Sequence, residues 1–440
     1  MRGVSNSFPQ KSLPAVCHYW RRVALDTPAL WSRVTLSDPP PFRLSALYLS
    51  RSGREAPLDI EIKITDKHWG YSDSWRPEAH QALPFIVTHG GITSRWKSCW
   101  IQTNDLPAHL AVLNFLLLSD LPMLQYLELD YCGPEYTSRR LESGVYSNFI
   151  STGSLFHDPP IPRLQIAVLR SVPNLCLFRH LGSFQLTELT YLELDFCSPL
   201  PRLEQLNGLL AACPRLTALF LDSMLEFHFV TEPDRPDDPV ELPRVHLPLL
   251  QSLALKHTIC SAVFWELGIL KMIDAPNVQS FQLYLASNRI FDNDPIIDYI
   301  TQGDSTTNPR PIFPLLTSLG FFLQQDITPD LRRLLSTYTR VTTLVLPEFP
   351  ELSALLETPW LAPSLTLLCL ETKDYKLLKD LVNMRYSAHL PLKTVELKKQ
   401  TSVWEISSEE RDQLGQLVDL VLVDELEDRM FSMLMVDVNT

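Results

Sequence analysis

A chain of 440 residues that is 45% apolar and 20% charged has the composition of a folded globular protein. Its net charge of −13 argues against nucleic acid or an anionic membrane as the main partner, because neither attracts an acidic surface. No apolar run approaches the roughly 20 residues needed to cross a bilayer; the longest, over 110–118, contains Asn114 and fits a buried helix.

In chain order, residues 13–36 read LPAVCHYWRRVALDTPALWSRVTL. Val16, Trp20, Val23 and Ala24 recur at helical spacing and make one apolar stripe. Pro14 suits the first helical turn, where a missing N–H costs least. Asp26-Thr27-Pro28 then ends that helix and caps a short second one carrying Leu30 and Trp31. As pure structure, such a unit is a helical cap over the open end of whatever follows. Residues 37–95 read as a transition with the first irregular repeats, in which Leu58, Ile60, Ile62 and Ile64 alternate as a strand. The stretch 67–81 holds His68, Trp69, Tyr71, Trp75 and His80 but no carboxylate or Cys at metal spacing, so it reads as a loop.

From residue 96 a pattern takes over. Residues 124–132 read LQYLELDYC and residues 189–197 read LTYLELDFC, both L-x-x-L-x-L-x-x-C. In a strand, alternate side chains point to opposite faces, so Leu127 and Leu129 share one side while Tyr126, Glu128 and Asp130 share the other. The first Leu and the final Cys are expected to plug the turns on either side. The same phase returns at Trp96, Leu164, Leu216, Leu250, Val278, Leu316, Val341, Leu365, Leu392 and Leu417, mostly at steps of 24 to 28 residues with three longer ones. Pro stands one or two residues before eight of these anchors (Pro122, Pro162, Pro214, Pro248, Pro276, Pro314, Pro363, Pro391), where it stops the preceding helix and favours an extended start. This spacing resembles the leucine-rich repeat. The fold class expected is α/β, a leucine-rich-repeat solenoid over 96–425 with a curved parallel sheet inside and helices outside, followed by a cap or tail over 426–440.

Helical patterns fall between the strands at 107–118, 202–213, 263–273, 329–338, 352–361 and 375–386, while 133–160, 226–241 and 287–311 read as loops. Within the last, Asp292, Asp294 and Asp298 match a calcium loop poorly, since Ile297 and Gly303 stand where Gly and Glu are needed. Glu232, Asp234, Asp237, Asp238 and Glu241 alternate with prolines as a stiff, solvated acidic insertion. The eight cysteines are scattered without a C-x-x-C pair; Cys99, Cys132, Cys197 and Cys213 fall where a small buried side chain is wanted. With no secretory hydrophobic core at the start, this usage suggests an intracellular protein, cytoplasmic or nuclear. The common phosphate-cradle, nucleophile-elbow and zinc signatures are absent, so neither a catalytic residue, a cofactor nor a metal is expected.

The phasing puts three columns of side chains on the sheet face turned away from the helices. The residues expected to contact a protein substrate are Trp100, Tyr126, Glu128, Asp130, Arg170, Tyr191, Glu193, Asp195, Phe220, Asp222 and Tyr284. The aromatic members are candidate anchors, Arg170 between Asp130 and Asp195 suggests a charge ladder, and the excess of carboxylates favours a basic partner.

One resemblance adds to this. Val16, Cys17, Trp20, Arg21, Ala24, Thr27, Pro28, Leu30 and Trp31, in the run V-C-x-x-W-R-x-x-A-x-x-T-P-x-L-W, resemble the second half of an F-box, as in the F-box-like, leucine-rich-repeat-like proteins common in fungi. The Leu-Pro-x-Glu helix that opens the family's box has no counterpart in MRGVSNSFPQKS. The resemblance implies that 1–36 is a partial F-box-like segment docking on the Skp-type adaptor of a cullin-based ubiquitin ligase. Leu13, Pro14, Val16, Cys17, Trp20, Arg21, Leu30 and Trp31 would make that contact while the repeats recruit a protein substrate. The chain would then act by proximity and do no chemistry itself; the alternative is a protein-binding scaffold unconnected to ubiquitin.

Overall fold

The computed structural model describes residues 17–37, 40–64, 81–104, 106–132, 155–156, 161–178, 186–196, 200–223, 242–257, 263–285, 294–304, 309–323, 328–346, 352–372, 375–398 and 408–423. The chain divides into two units, Met1–Leu216 and Thr217–Thr440.

The turn before each strand sets the repeat. In Leu121-Pro122-Met123-Leu124, the N–H of Leu124 donates to the Leu121 carbonyl at 3.2 Å. The same four-residue closure recurs from Ile161 to Leu164, Cys213 to Leu216, Leu247 to Leu250, Ala275 to Val278, Phe313 to Leu316 and Ala362 to Leu365. Pro is the second residue of each of these turns, where its fixed φ is already that of a β-turn. The residue before it is buried every time. Pro therefore builds the turn itself, beyond stopping the helix ahead of it.

The position after the anchor carries Gln or Thr in nine of the twelve repeats, Lys97, Lys393 and Val418 being the exceptions, and its carbonyl is the rivet between rungs. The Gln165 carbonyl accepts from Thr190 N, Thr190 Oγ1 and Tyr191 N, and the Thr342 carbonyl from Thr366 N, Thr366 Oγ1 and Leu367 N. Beyond the rivet each strand runs parallel to the last. In the first unit the order is β1 (Arg33–Leu36), β2 (Leu58–Ile64), β3 (Trp96–Thr103), β4 (Tyr126–Tyr131), β5 (Ile166–Arg170) and β6 (Tyr191–Asp195). Cys99, Leu127, Ala167 and Leu192 are opposite one another in register, and each is fully buried.

The second unit orders β7 (Ala218–Ser223), β9 (Ser252–His257), β11 (Ser280–Leu285), β12 (Ser318–Leu323), β13 (Thr343–Leu346), β14 (Leu367–Leu370), β15 (Thr394–Lys398) and β16 (Asp419–Val423) in the same way. Leu219, Leu253, Phe281, Leu319, Leu344, Leu368 and Val395 form its buried row. A side pair, β8 (Val245–His246) with β10 (Ile273–Asp274), was not legible in the repeat pattern.

Helices cover the buried side of the strands. They are α1 (His18–Leu25), α2 (Arg43–Arg51), α3 (Ala82–Thr88), α4 (Leu106–Leu117), α5 (Asn174–Phe178) and α6 (Leu203–Ala211) in the first unit. In the second they are α7 (Val263–Met272), α8 (Asp294–Gln302), α9 (Thr328–Thr337), α10 (Tyr375–Ser387) and α11 (Ser408–Gly415). The stripe on α9 is Leu331, Leu334 and Leu335, and that on α10 is Leu378, Leu381 and Val382, the spacing of one helical face. Each fully buried Leu contributes about 1.5–3 kcal/mol, more than any surface ion pair, so these ridges hold the layers together.

Three expectations need correction. The loop expected over 287–311 contains α8, whose Ile296, Ile297 and Ile300 are buried; its short apolar stripe was hidden by polar flanks. Asp298, weighed for a calcium loop, instead faces Arg333 from this helix. The helix expected at 352–361 is a 3-10 turn, Leu352–Leu356. Cys99 and Cys213 are buried as expected, but Cys132 is exposed, its thiol 3.5 Å from the Thr103 carbonyl. The tracts 67–80, 133–154, 226–241 and 424–440 lie outside the described residues, as does Cys197.

Candidate binding face and amino-terminal helix

The strand side facing away from the helices carries the three expected columns. Ser98, Tyr126, Ile166 and Tyr191 share one row of the first unit; Trp100, Glu128, Val168 and Glu193 the next; Gln102, Asp130, Arg170 and Asp195 the third. Two earlier strands extend it, because the alternation in LDIEIKI turns Asp59, Glu61 and Lys63 outward beside them. These residues, with Arg33 of β1, were missed because the columns were counted only from residue 96; the alternation at 58–64 was signal enough to include them.

The chemistry of this face centres on Arg170. Its Nε donates to Glu193 Oε1 at 2.6 Å and a terminal nitrogen to Glu128 Oε1 at 3.2 Å. The other oxygens of both carboxylates accept tyrosine hydroxyls: Tyr126 to Glu128, and Tyr191 to Glu193 at 2.9 Å. Burial opposes the guanidinium charge, but Glu193, Glu128 and Asp130 outweigh it and hold the Arg170 proton more tightly than usual. Burial and the neighbouring Glu193 likewise push the Tyr191 hydroxyl up. A second ion cluster surrounds Glu61, which accepts from Arg33 at 2.8 Å and pairs with Lys63 at 3.0 Å. Burial disfavours the Glu61 charge, yet these two cations bring its pKa below the ordinary value. The Lys63 ammonium also sits 4.6 Å from the Trp100 ring centre.

In the second unit Lys256 bridges Asp222, at 3.2 Å, and the Tyr284 ring, which stacks on Phe322 with centroids 4.0 Å apart. Farther along, Val345, Cys369 and Val423 form an apolar cluster flanked by Leu367 and Val421.

Burial sorts the expected contact residues. Tyr191 is 1% exposed and Phe220 is 2% exposed, so neither stands open as an anchor. Glu128 and Glu193 are also buried and act as the support for Arg170. Trp100, Tyr126, Asp130, Arg170, Asp195, Asp222 and Tyr284 are half-buried and remain accessible at the face.

At the amino-terminal end, Leu13, Pro14 and Val16 lie outside the described residues. Cys17 and Arg21 are exposed, and α1 presents Tyr19 (69% exposed), Trp20 (45%), Val23 and Leu25 to solvent. Only Ala24 of this helix is buried. Trp31 corrects the expectation of a surface contact. It is 1% exposed, its indole N–H donates to the Ala24 carbonyl at 2.7 Å, and its ring lies against Tyr48 and under Arg51. Leu30 is half-buried beside it. The second Trp of the motif therefore fastens α1 to the first rung, leaving the first Trp outside.

Among the described residues no group of His, Cys, Asp and Glu could hold a metal ion, and no helix is long and apolar enough to cross a membrane. The six described cysteines are free thiols. The fold and its faces thus define a repeat-built α/β protein. A comparison with protein-family models finds no match, and none of the curated proteins is significantly similar.

Proposed function

We propose that this chain is a substrate-recruiting subunit of a cullin-type ubiquitin ligase, holding a target protein on its sheet face and a Skp-type adaptor through its amino-terminal helix. It acts without chemistry of its own, raising the local concentration of the target near a charged conjugating enzyme. The observation that carries the reading is the solvent-facing Tyr19-Trp20-Val23-Leu25 surface of α1: a short helix rarely leaves such large apolar side chains in water unless another surface covers them. The outward residues also follow the resemblance, since Cys17, Trp20 and Arg21 belong to the F-box-like run.

The test measures binding of the full chain to purified Skp-type adaptor. Trp20→Ala is expected to weaken binding by about tenfold, a typical hot-spot effect, while leaving thermal melting unchanged because the ring is exposed. No binding by the unaltered chain sinks the reading. A second reading, a protein-binding scaffold without ubiquitin, draws on the inward turn of Trp31, which gives the segment a purely structural role as the end cap of the first unit.

A further inference from the structure

We propose that the open end of the second unit is closed by the chain's own residues 424–436, docked as an amphipathic helix against β16. The inference is independent of what the sheet face or α1 binds.

The first and last strands differ in what covers them. Among the described residues, β1 pairs only with β2 and β16 only with β15. At the first end the inward side chains, Val34 and Leu36, are nevertheless fully buried. The cover there is plain: the Trp31 indole fastens α1, and the Ser45 hydroxyl of α2 donates to the Thr35 carbonyl at 2.9 Å. At the last end the equivalent Leu420 and Leu422 face Val395 and Leu397 in register on one side and stay half-buried. Val395 and Leu397, with a strand on each side, are 0% and 3% exposed. Full burial of the inward row thus takes cover on both sides, and among the described residues β16 lacks its second. Repeat arrays need a cap at each end, and an apolar strand left at a sheet edge invites association.

Residues 424–440 lie outside the described ones, and the sequence of 424–436, DELEDRMFSMLMV, begins directly after β16. Leu426, Met430, Met433 and Leu434 stand at i, i+4, i+7 and i+8, the spacing of one helical face. Asp424 with Glu427 three residues on makes a capping box, and Glu425 and Asp428 add negative charge where a helix start favours it. Met, Leu, Glu and Arg are strong helix formers, and flexible Met side chains fill an irregular apolar gap. The lengths agree: twelve helical residues span about 18 Å, and the five residues of β16 about 16 Å. A helix turning back after Val423 therefore covers the whole strand, and its direct tether gives it a high effective concentration there. A second copy fits this end less well. Asp419 opens β16 and Asp424, Glu425, Glu427 and Asp428 follow it, so two such ends meeting would bring like charges together.

Hydrogen exchange read by mass spectrometry on the full chain tests this. Amides of 425–436 and of β16 are expected to exchange slowly, at rates unchanged when the protein is diluted about tenfold. Met433→Asp, on the apolar stripe, is expected to speed β16 exchange by about tenfold. Met435→Asp, on the opposite side of the helix, is expected to leave it unchanged. A strand would put both methionines on one side, so equal effects overturn the helix. Fast exchange over 425–436 in the unaltered chain overturns the proposal without any variant. Slow exchange that speeds on dilution assigns the end to a second copy and overturns it as well.

Discussion

His109 shows how much a single side chain on α4 depends on where the fold places it. It is buried, with Nδ1 3.1 Å from Thr103 Oγ1 and its ring against Tyr131. Burial pushes its pKa down to about 4, partly offset by a backbone contact at Ser171. The folded state therefore keeps it neutral, while the unfolded chain takes up a proton near pH 6.5. Stability from this group is complete above that pH and is lost as the pH falls from about 6.5 to 4, by about 3 kcal/mol in all. Urea titrations at a series of pH values should show this slope, and His109→Gln should flatten it. Two arginines make the same point about placement. Arg95 holds the carbonyls of Ala56 and Gly90 and the Ser52 hydroxyl, and the fully buried Arg385 holds those of Leu390, Ala362 and Leu365. Both look like ordinary solvated charges in the sequence, because the loops they hold together are distant along the chain.

The rungs repeat a buried residue, usually a Pro, one spacer, an apolar anchor, usually a Gln or Thr, and then two apolar residues separated by one outward residue. The division of labour inside it is unequal. Leu344 of β13 lies between Leu319 and Leu368 in the buried row, whereas the Thr342 hydroxyl adds one bond to a carbonyl already taken by two amides. Leu344→Ala should cost about 2–5 kcal/mol by leaving a cavity, and Thr342→Val about 1 kcal/mol or less. Chemical denaturation of the two variants checks the contrast; equal losses would mean that the rivet, not the ridge, sets rung stability. The anchor and the Pro were visible by their periodicity. The Gln/Thr position was not read from the sequence; its role emerges only where its carbonyl joins successive strands. Helix α8 was obscured because its apolar stripe is short, set among polar and acidic residues in an interval longer than most.

Each unit is built from parallel rungs that meet mainly their sequence neighbours, so damage should stay local. Leu368→Ala in β14 is expected to speed amide exchange in β13, β14 and β15 while leaving β3, β4 and β5 at their original rates. Exchange measured by mass spectrometry decides this; faster exchange in both units would show cooperativity across the whole chain instead of neighbour-by-neighbour stability. The −13 charge acts over the same length scale and favours association with basic partners at low ionic strength.

Periodicity decided the parallel α/β rungs, their strand phase and the three outward columns of residues, because alternation along a strand is a local rule that any segment obeys wherever it lies. Leu127, Leu192, Leu253 and Phe281 were thus assignable as core before any contact was known. Exposure was not assignable in that way. Tyr191 and Tyr126 occupy equivalent places in matching YLELD strands, yet one is buried and the other half-open. Trp20 and Trp31 likewise share one motif and part company, one in solvent and one in the core. Which equivalent residue is left exposed depends on how the rungs pack in three dimensions, and no local pattern carries that.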